Sequence, residues 1–365
     1  MTHRLRLSLD AWRHIIRQLD ANRARLSWRA RTAFWVSASV HSLLLRIQHE
    51  GHKNALNSVD LQPPIFLLGF WRSGTTLLHE LFSCDRRLGF PSTYACLNPF
   101  HFLLTEQWIK RRSSQEDNRR PMDNMLYSWT SPQEDEFALL SLGAPSVYEA
   151  LLIPSLMRHP SRLLDFRLRP IEEQSRWTEV FCYFMRLLTA QQNKRMVMKS
   201  PPHGFKLSLL TSLFPNAQYV IIERNPYEVF ASNLKLWWTL LDLYSLESVS
   251  SEEIENFVLE AYVLHEKAIA EGCRHIDSRS IERVRYEELV ADPLGQIARI
   301  YDRLQLGGGE SVQAGVEEYL LAHAGHRRNT FLLSAAQKER VDATWGGIIT
   351  KKGYDWPSAH IALAS

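Results

Sequence analysis

Ile65-Phe66-Leu67-Leu68-Gly69-Phe70-Trp71-Arg72-Ser73-Gly74-Thr75-Thr76-Leu77-Leu78 is the stretch that decides the fold. Its first four residues form an unbroken apolar run behind the helix stop Pro63-Pro64. That is the pattern of a short strand buried on both faces. Gly69 to Thr76 is a loop of small and hydroxyl-bearing residues around one arginine. Over 76–82 the spacing of Leu77, Leu78 and Leu81 predicts a helix. Strand, small-residue loop and helix, in that order, gather backbone N–H groups and a helix N-terminus around a bound anion.

The same unit recurs downstream. Arg195-Met196-Val197-Met198-Lys199 reads as a second strand, followed by a helix over 204–214 with Phe205, Leu209, Leu210 and Leu213 on its apolar side. Pro215-Asn216 turns the chain into a third strand, Tyr219-Val220-Ile221-Ile222, and a helix opens at Pro226. Residues 281–286 read as a fourth strand and 294–304 as the helix after it. This alternation predicts an α/β fold, a P-loop-like parallel sheet with helices on both faces. Ligands of such sheets bind where strands end and helices begin. The division expected is a basic helical arm, residues 1–60, and an α/β domain, residues 61–365. Two long segments, about 86–194 and 239–278, are read as helical cap insertions.

Bulk properties narrow the function. The 365 residues are 45% apolar and 23% charged, ordinary for a globular chain, and a net charge of +3 marks no nucleic-acid binder. Residues 1–53 nevertheless carry ten basic against three acidic residues, a surplus of +7, so the remainder stands near −4. Leu9, Trp12, Ile16 and Leu19 share a helical face there. Two readings stay open: an arm packed on the protein or a second subunit, and peripheral membrane contact through residues 1–53. No apolar stretch reaches the ~20 residues that a membrane span needs. Cys84, Cys96, Cys182 and Cys273 form no CxxC pair, so free thiols, a cytoplasmic location and no metal are expected.

Gly69 and Gly74 have the spacing of the triphosphate loop GxxxxGK[ST], but its lysine position holds Thr75. Without that lysine, ATP or GTP hydrolysis is disfavoured. The cation has moved back to Arg72, which can grip phosphate oxygens bidentately beside the hydroxyls of Ser73, Thr75 and Thr76. A strand followed by Arg-Ser-Gly-Thr-Thr resembles the 5′-phosphosulfate loop of sulfotransferases that use 3′-phosphoadenosine 5′-phosphosulfate (PAPS). The arginine form resembles the broad bacterial group, related to tyrosylprotein and Golgi-type sulfotransferases, more than the cytosolic lysine branch.

Arg224 follows the third strand, and Ser232 lies eight residues on in the pattern R-N-P-x-x-x-x-x-S. On its own such an arginine would be paired with a carboxylate. The pattern resembles the 3′-phosphate motif of the same family, which implies that Arg224 and Ser232 hold that phosphate. Lys199 ends the second strand and resembles the family's strand-end lysine, implying contact with sulfuryl and leaving-group oxygens. Tyr286, in Arg285-Tyr286-Glu287-Glu288-Leu289, resembles the segment near the adenine.

The base is open. Position 201, where the cytosolic branch has histidine, is proline, and no carboxylate stands in Phe90-Pro91-Ser92-Thr93-Tyr94. Pro132-Gln133-Glu134-Asp135-Glu136-Phe137 resembles the acidic segment of the broad bacterial group. Glu134 and Glu136 are therefore the leading candidates, with His203 behind them. Arg327, Arg328, Lys351 and Lys352 are candidates for a late 3′-phosphate clamp. Trp108, Tyr127, Trp129, Trp237 and Trp238 are candidates for an apolar acceptor pocket. The resemblance spans about 65–305 and implies sulfuryl transfer from PAPS, without a metal, to a hydroxyl or amine acceptor. A P-loop-type kinase and an inactive, membrane-recruited nucleotide-binding protein are the alternatives.

Overall fold

The computed structural model describes residues 6–21, 26–112, 118–119, 126–323, 331–357 and 361–363. At its centre is a parallel sheet of β1 (Ile65–Leu68), β2 (Leu88–Gly89), β3 (Arg195–Lys199), β4 (Gln218–Glu223) and β5 (Ile281–Arg285). The spatial order is β2-β3-β1-β4-β5, so β1 lies in the middle between the two strands that end in Lys199 and just before Arg224. Leu67 is in register with Lys199, Leu68 with Ile221, and Glu223 with Arg285. The C-terminal ends of four strands therefore line up along one edge.

Alternate residues of each strand enter different cores. Phe66, Leu68, Met196, Met198, Tyr219 and Ile221 pack under α5 (Ile171–Gln192), against Trp177, Phe181 and Phe184. Ile65, Leu67, Val197, Val220, Ile222 and Val284 face the opposite way, against Leu78, Leu81 and Phe82 of α3 (Thr75–Ser83) and the helix Pro293–Arg303. Burial on both sides explains why the central strands β1 and β4 read as continuous apolar runs. A third core caps the strand-end edge. It joins Phe70 and Trp71 of the first loop to α6 (Pro226–Tyr244), α7 (Ser251–Gly272) and α8 (Ala335–Lys352).

Local departures from expectation have backbone causes. Residues 204–214 are not one helix. Pro201–Lys206 forms a 3₁₀ turn, and the α-helix runs only over Leu207–Leu213. Gly204, a weak helix former, lets the His265 ring lie against the backbone where the expected helix would begin. The edge strand β2 is two residues long and sits inside the segment expected to be helical.

The N-terminus forms two helices, α1 (Leu9–Ala21) and α2 (Trp28–Ser58). The apolar face of α1 is turned inward: Trp12 and Leu19 are buried with Leu152 and Ile153, and Leu9 and Ile16 pack beside them. Ser8 N–H donates to Ser141 O (2.8 Å), the His14 ring lies 3.2 Å from Glu149, and Trp12 stacks on Phe34 of α2. Further along α2, buried Gln48 donates to Pro99 O and accepts from the Leu103 N–H of α4 (Phe102–Arg112), both at 2.9 Å. Among the described residues no helix is long and apolar enough to cross a membrane.

Candidate active site

The loop after β1, the first candidate anion site, has an uncommon backbone. Gly74 takes φ +104°, and a Cβ there would collide with the Tyr286 ring. Arg72 also adopts a left-handed backbone (φ 68°), a conformation that costs a non-glycine residue energy and is concentrated at functional sites. The Ser73 hydroxyl is buried and has no hydrogen-bond partner among the described residues. A buried orphan hydroxyl at the mouth of α3, whose first-turn N–H groups have no intrahelical acceptor, suits a bound phosphate or sulfate oxygen.

The second anion motif meets the first. Arg72 Nε donates to Ser232 Oγ at 2.8 Å across 160 residues of chain. Arg224 Nη1 donates to the Arg72 carbonyl (3.2 Å), and its guanidinium lies 4.3 Å from the Tyr286 ring centroid. Arg224 is ion-paired with Glu228 one helical turn on, with Nε 2.9 Å from Oε2. Tyr286 thus packs on both Gly74 and Arg224. Sequence reasoning missed Glu228, although its i,i+4 spacing from Arg224 was a usable signal.

At the end of β3, Lys199 is 1% exposed and its Nζ lies 3.1 Å from Glu134 Oε1. Tyr148 Oη donates to Glu134 Oε2 (2.5 Å) and accepts from Trp71 Nε1 (3.0 Å). Burial, then the Glu134 charge, pushes the Tyr148 phenol far above its usual range, so it stays a neutral donor. Tyr148 carried no local signal; it lies in a 3₁₀ turn remote from every motif.

The other base candidates lie elsewhere. Glu136 is fully buried and paired with Lys206 (3.0 Å). That ammonium lies 4.9 Å from the Trp177 ring centroid, and burial, partly offset by Glu136, lowers its pKa. His203 is fully buried among Phe66, Trp177 and Phe181, with Nε2 2.9 Å from Asp135 Oδ2 but off the line of a hydrogen bond. Asp135 also accepts from Ser200 Oγ (2.8 Å), and Ser200 Oγ accepts from Glu136 N–H (3.1 Å). Burial alone would raise the Asp135 pKa, but His203 and these hydrogen bonds hold it below the usual range. Glu136 and His203 therefore sit in a closed network that fastens the acidic segment to β3. Neither approaches Lys199 as Glu134 does.

Of the late clamp candidates, Arg327 and Arg328 lie outside the described residues. Lys352 is paired with Glu266 (2.7 Å) and Glu223 (3.2 Å), and Lys351 is exposed. Trp237 is buried against Trp71, Trp129 packs on Tyr94, and Trp108 and Trp238 are exposed. The Tyr127 side chain is outside the described set. Among the described residues no group of histidine, cysteine or carboxylate side chains is placed to hold a metal.

Residues 63–307 match the model of the Sulfotransferase family. The chain belongs to the sulfotransferase family. It is 35% identical over 303 residues to omega-hydroxy-beta-dihydromenaquinone-9 sulfotransferase Stf3 of Mycobacterium bovis, covering 83% of this chain and 78% of that one. Its fold is similar to sulfotransferase STF9 from Mycobacterium avium (TM-score 0.71, 17% identity, 96% and 93% of the chains covered). It is also similar to STF1 from Mycobacterium tuberculosis (TM-score 0.64, 21% identity, 92% of each chain). The sulfotransferase activity is transfer of a sulfuryl group from a sulfonate donor to a hydroxyl-bearing acceptor. The kinase alternative is set aside by this membership and by Thr75 in place of the phosphate-loop lysine.

Proposed function

We propose that this sulfotransferase uses PAPS and sulfates a hydroxyl on an apolar, lipid-borne acceptor, with Glu134 as the base. The observation that carries the reading is the convergence of Arg72, Ser232 and Arg224 on one side of the strand ends and of Lys199 with Glu134 on the other. Two cationic sites suit a nucleotide with anionic groups at both ends. Arg72, Ser73, Gly74, Thr75 and Thr76 would hold the 5′-phosphosulfate; Arg224 and Ser232, backed by Tyr286, would hold the 3′-phosphate. When bound, PAPS supplies the activated sulfuryl group and leaves as 3′-phosphoadenosine 5′-phosphate.

The chain's own part is positioning and charge. Lys199 holds positive charge where negative charge develops on the transferred group and the leaving oxygen. Glu134, the one base candidate beside Lys199, takes the proton from the acceptor hydroxyl. Tyr148 and Lys199 fix both carboxylate oxygens, so the base is oriented before the acceptor arrives. Trp71 and Tyr148, both buried, form with Phe137 an aromatic cluster beside Glu134, with Phe137 stacked on Tyr148 at 4.9 Å. The apolar surroundings of the base, and the menaquinone derivative named for the relative Stf3, support an apolar carrier for the hydroxyl. In this reading residues 1–60 are an arm borne by the α/β domain of residues 61–365.

Incubation with PAPS and an omega-hydroxylated menaquinone in detergent tests the reading. The expected result is an acceptor heavier by one SO₃ and an equal release of 3′-phosphoadenosine 5′-phosphate, both lost in Glu134→Gln. Product formation undiminished in Glu134→Gln would remove Glu134 as base. Release of nucleotide without acceptor sulfation would remove the lipid acceptor.

A further inference from the structure

The inward turn of α1 leaves the outer face of α2 as the unusual surface of the N-terminal region. Trp28, Trp35, Val36, Val40, Leu43 and Ile47 are each between 38% and 72% exposed. At 3.6 residues per turn they fall within roughly 140° of arc and run for about 28 Å of helix. Single exposed apolar residues need no explanation; six on one arc, interrupted only by arginines and the small hydroxyl residues Thr32 and Ser39, do. The opposite side of the helix is accounted for, since Ala38, Gln48 and Leu56 are buried.

The charge around the stripe says what it faces. Between Asp20 and Glu50 the chain has no acidic residue and five arginines, Arg23, Arg25, Arg29, Arg31 and Arg46. Arg31 is paired with Asp20 at 2.6 Å. Arg29 and Arg46 project on the same arc as the apolar stripe and have no carboxylate partner among the described residues. A helix lying apolar side down with arginines beside that side matches an anionic lipid surface, where the side chains enter the headgroup region and the arginines meet phosphates. A second copy of the chain fits less well. Pairing α2 with itself would bring arginine toward arginine along a segment that has no acid to offset it.

We infer that the exposed face of α2, from Trp28 to Ile47, docks the protein on anionic phospholipid. The surface is independent of the sulfuryl-transfer site and stands whether or not the acceptor there is a lipid. Anchoring goes through α2; α1, whose apolar residues are spent in the interior, is the strut that fixes α2 to the body of the protein. The expected binding is reversible and falls with salt, because the arginine contribution is screened.

Flotation of the full chain with vesicles tests this, using phosphatidylcholine alone and phosphatidylcholine with one-quarter phosphatidylglycerol. The wild type should float with the phosphatidylglycerol vesicles and be released by high salt. A Val40→Asp/Leu43→Asp variant should lose at least tenfold in bound fraction, and Arg29→Ala/Arg46→Ala should lose severalfold on anionic vesicles. Both sites are exposed, so thermal unfolding of the variants should match wild type. That comparison separates loss of docking from loss of fold. Failure of the wild type to float, or equal flotation of the aspartate variant, would overturn the inference. So would a concentration-dependent dimer, seen by sedimentation, that Val40→Asp/Leu43→Asp abolishes, since it would assign the face to a second copy.

Discussion

Lys199 Nζ and Glu134 Oε1 lie 3.1 Å apart although 65 residues separate them in sequence. The contact joins the end of β3 to the acidic segment, and the segment is held there by its neighbours. Asp135 is tied to Ser200 and His203, and Glu136 to Lys206. Three adjacent carboxylates thus have three different basic partners. Only Glu134, partly exposed, sits against the lysine at the strand end.

Glu134→Gln keeps the shape of the side chain and removes its basicity. kcat is expected to fall by about 10²–10⁴, the usual contribution of a general base. Affinity for 3′-phosphoadenosine 5′-phosphate should be retained, since Lys199 loses a charged partner and no donor contact. Steady-state rates beside calorimetric nucleotide binding check both halves. Equal losses in rate and in nucleotide affinity would assign Glu134 a structural role.

Tyr148→Phe should separate orientation from binding. It leaves one Glu134 oxygen without its 2.5 Å donor and the buried Trp71 indole without its acceptor. A stability loss of about 1–3 kcal/mol is expected for an unsatisfied buried donor. kcat should drop by roughly tenfold with KM for the donor unchanged, because the residue meets the first loop only at Trp71 and not at the proposed anion-holding residues Arg72–Thr76, Arg224 or Ser232. A change confined to KM would contradict that role.

Gly74→Ala should damage the first loop in two ways. The left-handed backbone disfavours any side chain, and the new methyl meets the Tyr286 ring. A destabilisation of about 1–3 kcal/mol and loss of nucleotide binding are expected. Adding Tyr286→Ala should relieve the collision but not the backbone strain, so thermal unfolding should recover only in part. Full recovery would mean that the glycine is needed only for space.

The docking of α1 should depend on pH through His14 and Glu149. Burial alone would lower the His14 pKa, but the Glu149 carboxylate outweighs it and holds the proton above the ordinary 6.5. Burial alone would raise Glu149, but His14 and Arg169 hold it below the ordinary 4.5. A raised histidine contributes fully below 6.5 and is lost as pH rises through its folded value. A lowered carboxylate contributes fully above 4.5 and is lost as pH falls through its own. The pair is therefore strongest between about 4.5 and 6.5 and fades in alkali. Amide hydrogen exchange in α1, corrected for intrinsic rate, should show less protection at high pH, and His14→Gln should flatten the trend.

The central strands were legible because burial on both faces leaves a signature in a single chain. Ile65–Leu68 is an unbroken apolar run behind Pro63-Pro64, Met196–Met198 is a short one flanked by Arg195 and Lys199, and the structure has strands over Ile65–Leu68 and Arg195–Lys199. The strand–loop–helix turn at 69–76 was legible because Arg-Ser-Gly-Thr-Thr follows a buried strand, whereas the left-handed backbone of Arg72 and the orphaned Ser73 hydroxyl had to be seen in the structure. Leu88–Gly89 was not legible, since a two-residue edge strand has no period to read. Tyr148 and the Asp135–His203 contact were not either, because they exist only once distant segments meet. The fate of α1 was undecided for a physical reason: an amphipathic face looks the same whether lipid or protein covers it, and here Leu152 and Ile153 do.

The most direct test of the two-site donor account is calorimetric titration of 3′-phosphoadenosine 5′-phosphate and of adenosine 5′-phosphosulfate, which lacks the 3′-phosphate. Wild type and Arg224→Ala would be compared. Loss of a charge-assisted phosphate contact should weaken the first ligand by roughly ten- to hundredfold and leave the second nearly unchanged. Equal weakening of both ligands, or of neither, would mean that Arg224 serves only its pair with Glu228, and the assignment of a 3′-phosphate site to Arg224 and Ser232 would fall.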